Sequence, residues 1–104
     1  MNYRKINTGN EEVHRVRMPE KGETLGVVES NLGSNKLKVR CQDNKIRNCR
    51  IPGRMRKKMW IREGDVVAVK PWDIQGEVRG DVMWRYTSTE AGWLRKKGIL
   101  TMEL

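Results

Sequence analysis

The chain has 104 residues, 37% of them hydrophobic and 34% charged, with 22 Lys and Arg against 13 Asp and Glu for a formal net charge of +9. A chain this short holds one domain with one modest core, and no apolar run reaches the roughly 18 to 20 residues of a membrane span. So large a cationic surplus suits a polyanionic partner, because Lys and Arg set along phosphates release condensed counterions; nucleic acid comes first and a membrane surface second.

The N-terminal MNYRKINTGN lacks the apolar segment of a signal peptide, and a cytoplasmic location is expected. Residues 1–21 have few apolar positions and no periodicity, and are expected to form a flexible basic tail that becomes extended near Val13 to Met18.

From residue 22 to residue 87 the texture changes to short β-type runs separated by turn residues, the pattern of a small all-β barrel or sandwich. Five strands are expected: Thr24 to Leu32, Lys36 to Cys41, Ile46 to Ile51, Asp65 to Pro71 and Gly80 to Thr87. Gly33 to Asn35 turn the first into the second, and Gln42 to Lys45 the second into the third.

Strand side chains alternate between faces, so in KLKVRC the residues Leu37, Val39 and Cys41 point one way and Lys36, Lys38 and Arg40 the other. For Cys49 to join Val39 in the core, the hairpin loop must have odd length or a bulge. A loop centred on Asn44 meets that condition and sets Lys38 beside Arg50 and Arg40 beside Asn48. Clustered like charges gain nothing for a sheet; an anionic ligand accounts for them better. In this register Arg47 has the inward parity.

Pro52 stops the third strand, and RMRKKMW then has room for about two helical turns bearing Arg54, Arg56, Lys57 and Lys58. Such a segment is either a solvated charge run or a phosphate-binding surface, since guanidinium forks onto phosphate oxygens and ammonium acts as a point charge. The lack of carboxylates within the run favours phosphate. Met55, Met59, Trp60 and Ile61 read as the side that docks on the barrel, with Trp60 packed there in preference to stacking on a base. Val82, Trp84 and Tyr86 share one strand face; Trp72, beside Pro71, is the tryptophan expected to be exposed.

Residues 88–98 have the signals of a C-terminal helix: Thr87 or Ser88 as N-cap, Glu90 completing a capping box, Arg95 to Lys97 at the negative end of the dipole, and Gly98 beyond it. Residues 99–104, ILTMEL, form an apolar tail and the one candidate patch for a protein-interaction adaptor.

Cys41 and Cys49 are two thiols without nearby His, the single His14 lying far upstream, so buried free thiols are expected in place of a metal or redox site. No nucleotide-binding loop, nucleophile elbow or metalloprotease motif is present, and no nucleophile pairs with His14. The chain is read as non-enzymatic, without cofactor or metal. Self-repulsion at this net charge favours a monomer.

The stretch LKVRCQDNKIRNCRIPGRMRKKMWIREGDVVAVKPWD, with GDVMWRYTSTEAGWLRKKG, resembles archaeal and eukaryotic translation initiation factor 1A. The resemblance implies a five-stranded OB-fold barrel that binds the small ribosomal subunit at the A site of the decoding centre through rRNA. It also implies promotion of initiator tRNA and mRNA recruitment and of start-codon selection, in cooperation with other initiation factors. Carried over position by position, it makes Lys38, Arg40, Arg47, Arg50, Arg54, Arg56, Lys57, Lys58, Trp60 and Arg62 the RNA-contacting set. The acidic C-terminal extension of eukaryotic family members is missing, which fits an archaeal-type form. The family docks the subunit-joining GTPase at its C-terminus, a role ILTMEL would have to carry. On the residues alone, a general single-strand binder relying on aromatic stacking remains the competing reading, weakened by sparse aromatics.

Overall fold

The computed structural model describes the backbone of residues 3–7, 13–56 and 60–102 and the side chains of residues 15–55 and 60–102. Seven strands and two helices follow in order: β1 (Tyr3–Asn7), β2 (Val13–Arg17), β3 (Thr24–Gly33), β4 (Lys36–Cys41), β5 (Ile46–Arg50), α1 (Gly53–Arg56), β6 (Val66–Pro71), β7 (Arg79–Tyr86) and α2 (Ser88–Lys96). Strands β3 to β7 are the five expected from alternation, each within a residue or so of its expected limits. They close into a barrel in the order β3-β4-β5-β7-β6, with β6 returning to β3 and β5 parallel to β7. That is the OB-fold.

The lumen is filled by every second residue: Val28 from β3, Leu37, Val39 and Cys41 from β4, Cys49 from β5, Val67 and Val69 from β6, and Val82 from β7. Space there is short enough that two inward positions are glycine. A Cβ on Gly26 would stand 2.6 Å from Val39 Cγ1, and one on Gly80 would stand 2.8 Å from Val69 Cγ1. Both thiols are free and buried; burial raises the pKa of Cys41 and pushes that of Cys49 up to about 12.

The hairpins obey the turn chemistry with one correction. Ser34 and Asn35 both have positive φ, giving the two-residue turn between Gly33 and Lys36. The β4–β5 loop has the expected odd length, but it is centred on Asp43 rather than Asn44. Asp43 Oδ1 accepts from the Lys45 backbone N–H at 3.2 Å, and Asn44 takes the left-handed conformation. The register is therefore two residues away from expectation, with Lys36 opposite Arg50, Lys38 opposite Asn48, and Arg40 opposite Ile46. A slip of two keeps each side chain on its own face.

A second correction concerns β7. Val66 to Ala68 pair with Tyr86 to Trp84, whereas Val69 pairs with Val82, leaving Met83 as an extra bulged residue. The bulge reverses the alternation, so Val82 points into the lumen while Trp84 and Tyr86 turn outward. They do not share a face.

Outside the barrel lies a second apolar layer. Leu25, Val27, Val66, Ala68 and Tyr86 form the outer surface of β3, β6 and β7, covered by Val16 and Met18 before the barrel and by Ala91, Leu94 and Leu100 after it. Two expectations change here. Residues 1–21 are not a tail throughout, because β1 pairs antiparallel with β2, from Tyr3 opposite Arg17 to Asn7 opposite Val13, and Val16 and Arg17 are buried. ILTMEL is not a free patch, since Leu100 is buried and Ile99 and Met102 pack against the same layer. The Gln42 side chain holds the segment, donating to the Ile99 carbonyl at 3.2 Å and accepting from the Thr101 N–H at 3.1 Å. Glu103 and Leu104 lie outside the described residues.

α2 is delimited as its sequence signals require. The Thr87 hydroxyl accepts from the Glu90 N–H while the Glu90 carboxylate accepts from the Thr87 N–H, a complete capping box. At the other end the Gly98 N–H donates to Arg95 and the Ile99 N–H to Leu94, the two bonds of a Schellman motif, with Gly98 at φ 75°.

One ion pair ties the covering layer to the barrel. Arg17 donates from both terminal nitrogens to the Glu23 carboxylate at 2.9 Å each, and its carbonyl accepts from the Tyr86 hydroxyl at 2.7 Å. The two charged side chains are 1% and 2% exposed. Burial alone would raise the Glu23 pKa, but the bonds from Arg17 and from the Glu20 N–H, with the Arg17 charge, carry it below the ordinary value. Glu23→Gln leaves the buried guanidinium only the solvated Glu20 carboxylate, 3.8 Å away, and is expected to cost about 3 kcal/mol in urea unfolding at neutral pH. Because the folded pKa of Glu23 lies below its unfolded value, the pair's contribution is complete above the ordinary carboxylate range. It fades as pH falls through the depressed folded value, so the gap between wild type and variant should narrow in acid.

Candidate nucleic-acid interface

The outer surface of β3, β6 and β7 is covered, but that of β4 and β5, with the adjoining start of β7 and end of β6, faces solvent. Outward residues align there in rows across the strands. Lys36 stands opposite Arg50, Arg50 opposite Asp81, and Asp81 opposite Lys70. The next row is Lys38, Asn48 and Arg79, and beyond it Arg40 faces Ile46. Seven of these nine positions carry a charge, and six of the seven are cationic.

This face is less uniformly unpaired than its sequence implies. Arg50 Nη2 lies 3.2 Å from Asp81 Oδ2 and Arg40 Nε lies 3.3 Å from Glu29 Oε1. Both pairs are solvated, each worth well under about 1 kcal/mol, so a phosphate can exchange for the carboxylate at little expense. Lys36, Lys38, Lys45 and Lys70 have no described carboxylate within ion-pair distance.

Arg47, which the resemblance puts in the RNA-contacting set, has the inward placement that its parity implies. It faces inward opposite Val39 and is 3% exposed. Its terminal nitrogens donate to both Asp43 carboxylate oxygens, at 3.0 and 2.7 Å, and its Nε–H donates to the Gly76 carbonyl. The hydrogen bonds from Arg47 hold the Asp43 carboxyl below its ordinary pKa against the opposing effect of burial. All the guanidinium's bonding goes to joining the β4–β5 turn to the β6–β7 loop. Parity along β5 was the signal that separated it from its outward neighbours.

The basic segment leaves the barrel at Pro52. The Ile51 N–H donates to the Asn35 carbonyl at 2.8 Å, and α1 makes one turn whose Met55 is buried against the lumen cluster. This is the docking role expected for Met55, shared by the partly buried Ile61. Arg54 and Arg62 are exposed. Trp60 is 76% exposed, correcting the expectation that it packs on the barrel. Lys57, Lys58 and Met59, and the side chain of Arg56, lie outside the described residues, as does the second helical turn expected there.

The structure adds cations that sequence reasoning left out of the set, Lys36, Lys70 and Arg79. Lys36 was visible as outward-facing by alternation; Lys70 and Arg79 join the face only through the parallel pairing of β5 with β7, which alternation within one strand does not reveal. Two variants separate the roles. Arg47→Ala should lose about 2 kcal/mol in urea unfolding, as charge-assisted buried bonds are removed. Arg50→Ala should stay within about 0.5 kcal/mol of wild type.

Among the described residues no helix is long and apolar enough to cross a membrane. A family model described as "Translation initiation factor 1A / IF-1" matches residues 13–104. The translation initiation factor 1A of Methanothermobacter thermautotrophicus is 59% identical over 92 residues, 88% of this chain and 93% of that one. That of Pyrococcus abyssi is 52% identical over 93 residues, 89% of this chain and 82% of that one. Among solved structures, YjeQ from Thermotoga maritima superposes with a TM-score of 0.51 at 25% identity over 62% of this chain, which spans 23% of that protein.

Proposed function

The chain belongs to the translation initiation factor 1A / IF-1 family, and from that premise we propose that it binds the small ribosomal subunit at the A site of the decoding centre through rRNA. There it promotes initiator tRNA and mRNA recruitment and start-codon selection as a non-catalytic factor working with other initiation factors. The observation that carries this reading is the open outer face of β4 and β5, rich in cations, together with the exposed Arg54, Trp60 and Arg62 of the segment that follows β5.

The division of labour follows from chemistry. Lys38, Arg40, Arg50, Arg54 and Arg62, with Arg56, Lys57 and Lys58 of the same run, supply phosphate contacts, which position the protein without reading sequence. Specificity comes from the shape of folded RNA meeting a rigid barrel. Trp60 offers a ring to an unstacked base, an interaction worth about 1 to 3 kcal/mol. Arg47 acts through the loops it joins. Docking of the subunit-joining GTPase through ILTMEL finds no support in Leu100, which is part of the core.

Equilibrium binding to purified small subunits across a salt series, with a short unstructured RNA as competitor, tests this. Tight binding that the competitor does not displace is expected, with affinity falling steeply with salt. Arg54→Ala and Lys38→Ala should each flatten the log–log slope by about 1. Equal affinity for the loose RNA would instead identify a general single-strand binder.

A further inference from the structure

Trp72 is placed as a fixed platform that the contacts above do not use. It is 37% exposed, and its indole N–H donates to Asp81 Oδ1 at 3.0 Å. The Arg50 guanidinium carbon lies 5.8 Å from the ring centroid and that of Arg79 lies 5.9 Å from it. Beside the ring is an open groove of about 430 Å³ lined by Arg50, Lys70, Pro71, Trp72, Asp73 and Asp81.

The loop bearing the ring is held from several sides. The Trp72 N–H donates to the Arg79 carbonyl at 3.1 Å, and the N–H groups of Val78 and Arg79 both donate to the Gln75 carbonyl. Gly76 closes against Trp72 so tightly that a Cβ there would stand 2.3 Å from the Trp72 carbonyl oxygen. Arg47 reaches the Gly76 carbonyl from the barrel interior. A ring fixed this way loses little freedom when a ligand lies on it. Aromatic rings and guanidinium planes are the surfaces on which unpaired bases stack, and both are present here with an unpaired ammonium, Lys70, across the groove.

We propose that Trp72, Arg79 and Lys70 form a second RNA subsite, on β6 and β7, in which the indole stacks one unpaired base and the two cations hold its flanking phosphates. The subsite deepens the functional reading above and rests on it for the identity of the RNA. Asp81 is a positioning residue there, holding the indole N–H while neutralising Arg50.

The test is a titration of the ¹⁵N-labelled full chain with hexaadenylate, followed on the four tryptophan indole N–H resonances and assigned with Trp72→Leu. The Trp72 resonance should move and saturate. Trp72→Leu should bind hexaadenylate about tenfold more weakly, Trp72→Phe should recover part of the loss, and neither should alter the circular dichroism spectrum. A stationary Trp72 resonance while that of Trp60 moves, or unchanged affinity in Trp72→Leu, would overturn the subsite. The same proteins are then bound to purified small subunits. Weaker binding by Trp72→Leu supports the subsite on its natural ligand; wild-type affinity in Trp72→Leu beside a loss in Arg54→Ala overturns it and leaves the initiation-factor reading standing. Hexaadenylate binding through Trp72 by a wild-type protein that ignores subunits supports the subsite and overturns that functional reading.

Discussion

The structure depends on how a five-stranded barrel of this size disposes of its outer surface. The lumen takes one set of alternating residues, but Leu25, Val27, Val66, Ala68 and Tyr86 are also apolar and point outward. Left in water, each large aliphatic among them would forgo about 1.5 to 3 kcal/mol of burial. The chain covers them with the segments at its two ends, Val16 and Met18 on one side and α2 with Leu100 on the other. The Arg17–Glu23 pair and the Gln42 clamp hold those segments in place. Among the described barrel strands, β4 and β5 keep an open outer face, and it is rich in cations.

The proposed function builds on this asymmetry. The open side of the barrel presents rows of Lys and Arg whose spacing is set by strand pairing. On that proposal, the surface meets a folded polyanion by matching its phosphate positions. The buried arginines serve the surface indirectly. Arg17 secures the covering layer, and Arg47 secures the two loops that frame the cationic face.

Much of this was legible in the sequence, and the residues that were not share a cause. The five barrel strands and the alternation of KLKVRC followed from a period of two, and the capping box and Gly98 delimited α2 from local chemistry alone. The misplacements arose where a partner outside the local window decides. Loop parity set the face of Arg47, but Asp43 and Asn44 competed for the turn centre, and local rules do not choose between registers two residues apart. The Met83 bulge, which parts Val82 from Trp84 and Tyr86, is visible only once β6 and β7 are paired. The stretches Val16 to Met18 and Ile99 to Met102 are too short and too mixed to announce themselves as core; their packing is dictated by an apolar surface elsewhere in the chain. Trp60 shows the converse, an aromatic residue that stays exposed while Met55 and Ile61 of the same segment reach the lumen cluster.

The claim that the uncovered sheet face meets the RNA is tested most directly by lysine reactivity. The free protein and its complex with purified small subunits are acylated briefly, and each lysine is quantified by mass spectrometry. Lys36 and Lys38 on the bare face should be strongly protected in the complex, while Lys96 and Lys97 at the end of α2 stay reactive. Protection of Lys96 and Lys97 with Lys36 and Lys38 still reactive would place the RNA on the covered side and contradict the account.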